Sequence, residues 1–79
     1  MLLLIGKQHS LETTLTREFL DLHCIPYDFI DLEDHEDFKF WMSWVKSNKI
    51  LSIPVLLNRE TGEFIVGNDQ LALKRLLKL

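Results

Sequence analysis

The sequence predicts an α/β domain in which a four-stranded mixed sheet and three helices follow in the order βαβαββα. Three observations carry that expectation. An apolar run at residues 2–5 is halted by Gly6 and leads almost at once into a serine and a helical apolar pattern, as when a strand covered on both faces feeds a helix. A second apolar run, Val55, Leu56 and Leu57, is entered through Pro54, and a proline that cannot donate to a ladder belongs at the first position of such a strand. A polar turn with Thr61-Gly62 then separates that run from a further short one, which marks a hairpin.

Composition bounds the answer. The chain has 79 residues, 47% of them hydrophobic and 27% charged, a globular balance that predicts one domain spanning residues 1–79. A core of that size buries roughly 60% of the unfolded surface. Nine Lys and Arg against twelve Asp and Glu leave a net charge of −3, with no basic cluster beyond Lys74-Arg75, which speaks against a nucleic-acid partner. A lone cysteine makes no internal disulfide, and residues 1–5 are too short an apolar run for a signal peptide or a membrane span. The expectation is a cytoplasmic protein with no membrane partner.

Taken in order, residues 2–5 read as a central strand, and Lys7, Gln8 and His9 as a short loop. Ser10 is suited to cap a helix whose apolar positions are Leu11, Leu15, Phe19, Leu20 and Leu22. Cys24 and Ile25 end it before Pro26, and residues 27–32, of mixed polarity, suit a strand at a sheet edge. The acidic run at residues 33–37 is expected on the first turn of a second helix, with Lys46 and Lys49 at its far end, both favourable against the dipole. Phe38, Trp41, Met42 and Val45 form its core stripe. Phe40 and Trp44, four apart, lie on a flank. Residues 55–57 and 63–66 make the hairpin, Gly67 and Asn68 break the chain, and Asp69 opens a last helix with Leu71, Leu73, Leu76 and Leu77 as its apolar side. Packed in layers, this order is expected to give three parallel strands and one antiparallel edge, with helices on both faces, a minimal thioredoxin-like architecture.

Over nearly its whole length the sequence resembles a glutaredoxin. In that family a lysine stands three residues before Cys-Pro-Tyr-Cys, Thr-Val-Pro precedes the third strand, and Gly-Ser-Asp or Gly-Cys-Asp opens the last helix. Here the corresponding stretches are Lys7-Gln8-His9-Ser10, Ser52-Ile53-Pro54 and Gly67-Asn68-Asp69. The same order resembles the amino-terminal domain of glutathione transferases, where a serine can occupy the position of Ser10. The resemblance implies a cis Ile53-Pro54 bond. It also implies a glutathione-type ligand site made of Lys7, Ser10, Ile53, Pro54, Asn68 and Asp69, with the backbone before the proline pairing with the cysteinyl part of glutathione.

The departure from the family lies in the cysteines. Ser10 and Thr13 occupy both cysteine positions, and a hydroxyl cannot form the mixed disulfide on which dithiol exchange depends. Catalytic residues of that kind are therefore not expected, nor is a resident cofactor, glutathione being the one small ligand the resemblance implies. Cys24 lies some ~20 Å of mostly helical chain from Ser10 and reads as a packed structural thiol.

Each candidate also has a plain structural reading. Ser10 caps a helix, and Glu12 beside it would repel a thiolate held there. Asn68 or Asp69 caps another, Lys7 is a solvated loop cation, and His9 lacks a third residue to orient it as a base. The acids between Asp28 and Asp37, with His35 among them, show no ligand spacing and predict no metal site. Core packing is the first reading of Phe40 and Trp44, and a partner surface the second, since aromatic pairs on a flank are enriched at interfaces. The function expected is a binding module for a glutathione-type ligand or a protein partner. The competing class is an enzyme, with a serine-type glutathione site at Ser10 or a redox role for Cys24.

Overall fold

The computed structural model describes residues 1–33, 36 and 38–79. The strands are β1 (Leu2–Gly6), β2 (Asp28–Asp31), β3 (Val55–Asn58) and β4 (Phe64–Val66), and the helices α1 (Leu11–Leu22), α2 (Phe38–Ser47) and α3 (Gln70–Leu77). They form one four-stranded sheet in the order β2-β1-β3-β4.

Alternation along the strands divides the core into two layers. Leu3, Ile5, Ile30, Val55 and Leu57 turn to the face where Trp41 and Val45 of α2 pack. Leu4 and Leu56 turn to the other, against Phe19 and Leu20 of α1 and Leu73 of α3. The central place expected for the first strand and the edge place expected for the second are both found.

The strand directions differ from expectation. β1 and β2 are parallel, with Ile5 opposite Ile30 and Gly6 opposite Asp31. β3, however, runs antiparallel to β1, with Ile5 opposite Val55, and β4 antiparallel to β3, with Val55 opposite Val66. β1, β2 and β4 thus run one way and β3 the other, so the opposing strand is the inner β3 and not an edge strand, and β1–β2 is the one adjacent parallel pair. β3 starts at the sheet end where β2 stops. The ten residues of α2 advance the chain about 15 Å, but the non-helical residues 48–54 can return that distance at up to about 3.3 Å each, so the next strand runs back.

Helix faces also depart from the sequence pattern. On α1, Leu11, Leu15 and Leu22 are exposed, while Thr13 and Thr16 join Phe19 and Leu20 on the buried face. Thr13 is buried where α1 meets the end of β1, against Gly6, which has no side chain to hold it off. On α2 Trp41 and Val45 are buried and Met42 partly so, but Phe38 is exposed. On α3 Leu73 is fully buried, Leu76 and Leu77 partly, and Leu71 is exposed. α2 begins at Phe38, so Glu33 and Glu36 precede its first turn instead of forming it. Asp34, His35 and Asp37 lie outside the described residues.

All three helices end alike. Ile25, Ile50 and Leu79 donate their N–H to Leu20, Val45 and Lys74, each closing the last turn through a residue of positive φ, Cys24, Lys49 and Lys78. This is the Schellman geometry, normally given to glycine. It makes Cys24 exposed, in contrast to the packed thiol expected, because Ile25 is the residue that turns inward. No helix among the described residues is long and apolar enough to cross a membrane.

Candidate functional site

The strand register gathers most of the sequence-derived site at one end of the sheet. Gly6, Val55 and Val66 end or begin their strands there, so the loop at Lys7, the entrance at Pro54 and the turn at Gly67 are neighbours. The Ile53–Pro54 peptide bond is cis, and Pro54 O accepts from Gly67 N at 2.7 Å, which locks the β3 entrance to the turn before α3. Gly67 has φ of 84°, a conformation L side chains avoid.

Ser10 and Thr13 are both committed to local structure. Ser10 is the N-cap of α1, its Oγ accepting from Thr13 N at 3.4 Å and its backbone N donating to Lys7 O at 3.0 Å. Thr13 Oγ1 lies 3.5 Å from Lys7 N, which donates towards it. The two hydroxyls thereby hold the loop to the helix. Asp69 caps α3, its carboxylate accepting from Leu71 N at 3.1 Å and Ala72 N at 3.2 Å, so two of the free amides of that helix start already carry an acid. Asn68 reaches back to α1, with its Oδ1 3.2 Å from the hydroxyl of Thr16, a link that the sequence reading missed. Among the described residues, nothing pairs with the backbone N–H of Ile53, Asn68 or Asp69.

His9 is exposed and, with Gln8, Asp31 and Glu33, lines an open hollow of about 230 Å³. The Asp31 carboxylate there accepts from Glu33 N at 2.9 Å. Among the described residues no three His, Cys, Asp or Glu side chains converge as metal ligands.

Towards the other end of the sheet lies a second feature. Phe40, Trp41, Trp44, Asn48, Leu57 and Arg59 line an open groove of about 300 Å³ between α2 and the β3–β4 turn. Phe40 meets Trp41 edge to face at 4.9 Å in its lining, and Phe64, outside the lining, meets Trp44 in the same way at 5.5 Å. Phe40 is 62% exposed, and Trp44 is partly buried against the core. Phe40 and Trp44 are legible in the sequence as a flank pair, whereas Asn48 and Arg59 are not. Their signals are weak ones: Asn48 follows Trp44 at helical spacing, and Arg59 follows Leu57 by two in a strand.

No protein-family model matches the sequence, and no curated protein matches it. Its structure is similar to the crystal structure of a glutaredoxin from Archaeoglobus fulgidus, with a TM-score of 0.83 over 99% of this chain and 86% of that one, at 22% identity. A likeness at that identity speaks for the fold. The chain has the glutaredoxin-like thioredoxin fold, with Cys24 as its single cysteine and so no cysteine pair.

Proposed function

We propose that this protein is a glutaredoxin-like binding module that does not run dithiol exchange, and that the sheet end holding Lys7, Ser10, Ile53, Pro54, Asn68 and Asp69 receives a glutathione-type ligand. The observation that supports this reading is that three backbone N–H groups, at Ile53, Asn68 and Asp69, have no partner among the described residues and lie at the sheet end that also bears the Lys7 cation. Such donors suit an extended peptide and its carboxylates. The hydroxyls of Ser10 and Thr13 supply no covalent partner for a sulfur, and both are already engaged in the α1 cap. An enzyme using Ser10 is disfavoured for the same reason, and one using Cys24 by the separation of that thiol from the loop along α1.

Binding is then weak and non-covalent, since one exposed lysine contributes about 1 kcal/mol or less. Backbone amides followed by NMR during a glutathione titration test it. Residues 7, 53, 68 and 69 shift together, and Lys7→Glu removes the response while the Phe40→Ala/Trp44→Ala variant keeps it. Absence of any shift at millimolar glutathione would sink the ligand assignment. The exposed Phe40 favours a second reading, a protein partner on the α2 flank.

A further inference from the structure

We infer that the groove between α2 and the β3–β4 turn binds an acidic segment of a protein partner, one aromatic side chain entering between Phe40 and Trp44 while a neighbouring carboxylate meets Arg59. The inference rests on the binding-module reading but not on the glutathione-type ligand, whose place is at the opposite end of the sheet.

Three observations select that occupant. The first is the wall. Phe40, Trp41 and Trp44 line it in edge-to-face contacts at 4.9 and 6.1 Å, and Phe64, outside the lining, backs Trp44 at 5.5 Å, so the rings are held before anything binds and little rotamer freedom is lost when it does. Phe40 stands 62% exposed at the open end of this chain, an aromatic edge that an incoming ring can continue. The second is charge. Among the described residues Arg59 is the one ionisable side chain lining the groove, and its guanidinium makes no ion pair. The adjacent Glu60 carboxylate instead meets the Met1 amino group at 3.1 Å, which leaves Arg59 for an incoming anion. Asn48 donates to Trp44 O at 2.9 Å, so its side-chain carbonyl remains as an acceptor for a peptide N–H. The third is size. About 300 Å³ stands at the lower end of the roughly 300–1,000 Å³ typical of ligand pockets, room for one anchor side chain and not for a helix. A single arginine in a chain of net charge −3 does not suit a nucleic acid.

The test uses the fact that both tryptophans of the chain, Trp41 and Trp44, line the groove, so their emission reports on it. The full chain is titrated to millimolar concentration with acetyl-Glu-Phe-Glu-amide, acetyl-Lys-Phe-Lys-amide and acetyl-Glu-Ala-Glu-amide. The first peptide changes the emission and shifts both indole N–H signals. The basic peptide acts up to about five-fold more weakly, the most expected from one exposed ion pair, the Ala peptide acts more weakly because it lacks the anchoring ring, and Arg59→Ala weakens the first by a factor similar to the basic peptide's while Lys7→Glu does not. Equal responses to the acidic and basic peptides, or to the Phe and Ala peptides, overturn the proposal. So does loss of binding in Lys7→Glu, which would put the peptide at the other site, or no response at all. Self-association that changes the emission without peptide, seen by sedimentation, makes a second copy the occupant and also overturns it. Failure of the glutathione titration leaves each of these outcomes readable.

Discussion

Thr13 sits directly against Gly6: a Cβ built on the glycine would fall 2.6 Å from Thr13 Oγ1 and 2.7 Å from its Cγ2. The end of β1 and the first turns of α1 approach that closely because one side has no side chain and the other a small one. Thr13 is wholly buried, so it cannot swing away. Gly6→Ala is therefore expected to destabilise the fold by about 1–3 kcal/mol, as overpacking does. Urea denaturation measures it, and Gly6→Ala/Thr13→Ala should recover part of the loss through coupling between the two sites. Simple additivity would mean that the contact is relieved some other way.

Ser10 and Thr13, three residues apart, stand about one helical turn from each other at the start of α1. The unmodified protein is expected to show no disulfide reduction above background with glutathione as reductant. Ser10→Cys/Thr13→Cys, by contrast, should install a thiol of depressed pKa at a helix N-terminus and close an internal disulfide on mild oxidation, read by mass and thiol titration. A native rate that Cys24→Ser abolishes would show that the reactive thiol lies elsewhere.

Thr16 links α1 to the turn before α3. Its hydroxyl is 3.0 Å from Glu12 O and 3.2 Å from Asn68 Oδ1, in a position almost sealed from solvent. Thr16→Val keeps the shape and removes the hydroxyl, an expected loss of about 0.5–1.5 kcal/mol. Thermal unfolding gives the magnitude. NMR should show amide shifts concentrated at residues 67–69, and a change confined to α1 would mean that the Glu12 carbonyl is the partner that matters.

Cys24 occupies a left-handed position with φ of 54° and an exposed side chain. A non-glycine residue there gives up part of the about 1–2 kcal/mol that separates the left-handed from the right-handed conformation. Cys24→Gly should thus be neutral to stabilising, by up to about 1 kcal/mol, in denaturant titrations. A marked loss of stability would mean that the thiol packs after all. The native thiol should react with a disulfide reagent without unfolding.

Much of this molecule follows from chemistry confined to a few neighbouring residues. The apolar runs at residues 2–5 and 55–57 are short and unbroken, so they read as covered strands wherever they lie. Ser10 and Asp69 precede helical patterns and do cap helices, because an N-cap satisfies amides only two or three positions away. The hairpin turn closes through Asn58 and Gly62, again within local reach. Order and type of the elements, and through their motifs the likeness to a glutaredoxin, are legible at that range.

What lies beyond that range was set by contacts distant in sequence. β3 runs antiparallel to β1 because the segment after α2 returns to the end where β2 stops, and no local pattern encodes that return. Leu11 and Leu15 are more apolar than Thr13 and Thr16 at equally good helical spacing, yet the threonines are buried, Thr13 in close contact with Gly6 and Thr16 hydrogen-bonded to Asn68. Arg59 joins Phe40 and Trp44 only when the hairpin folds under α2. Periodicity states how apolar a helix face is. Which face turns inward depends on how closely another element can approach it, and that distance exists only in the folded chain.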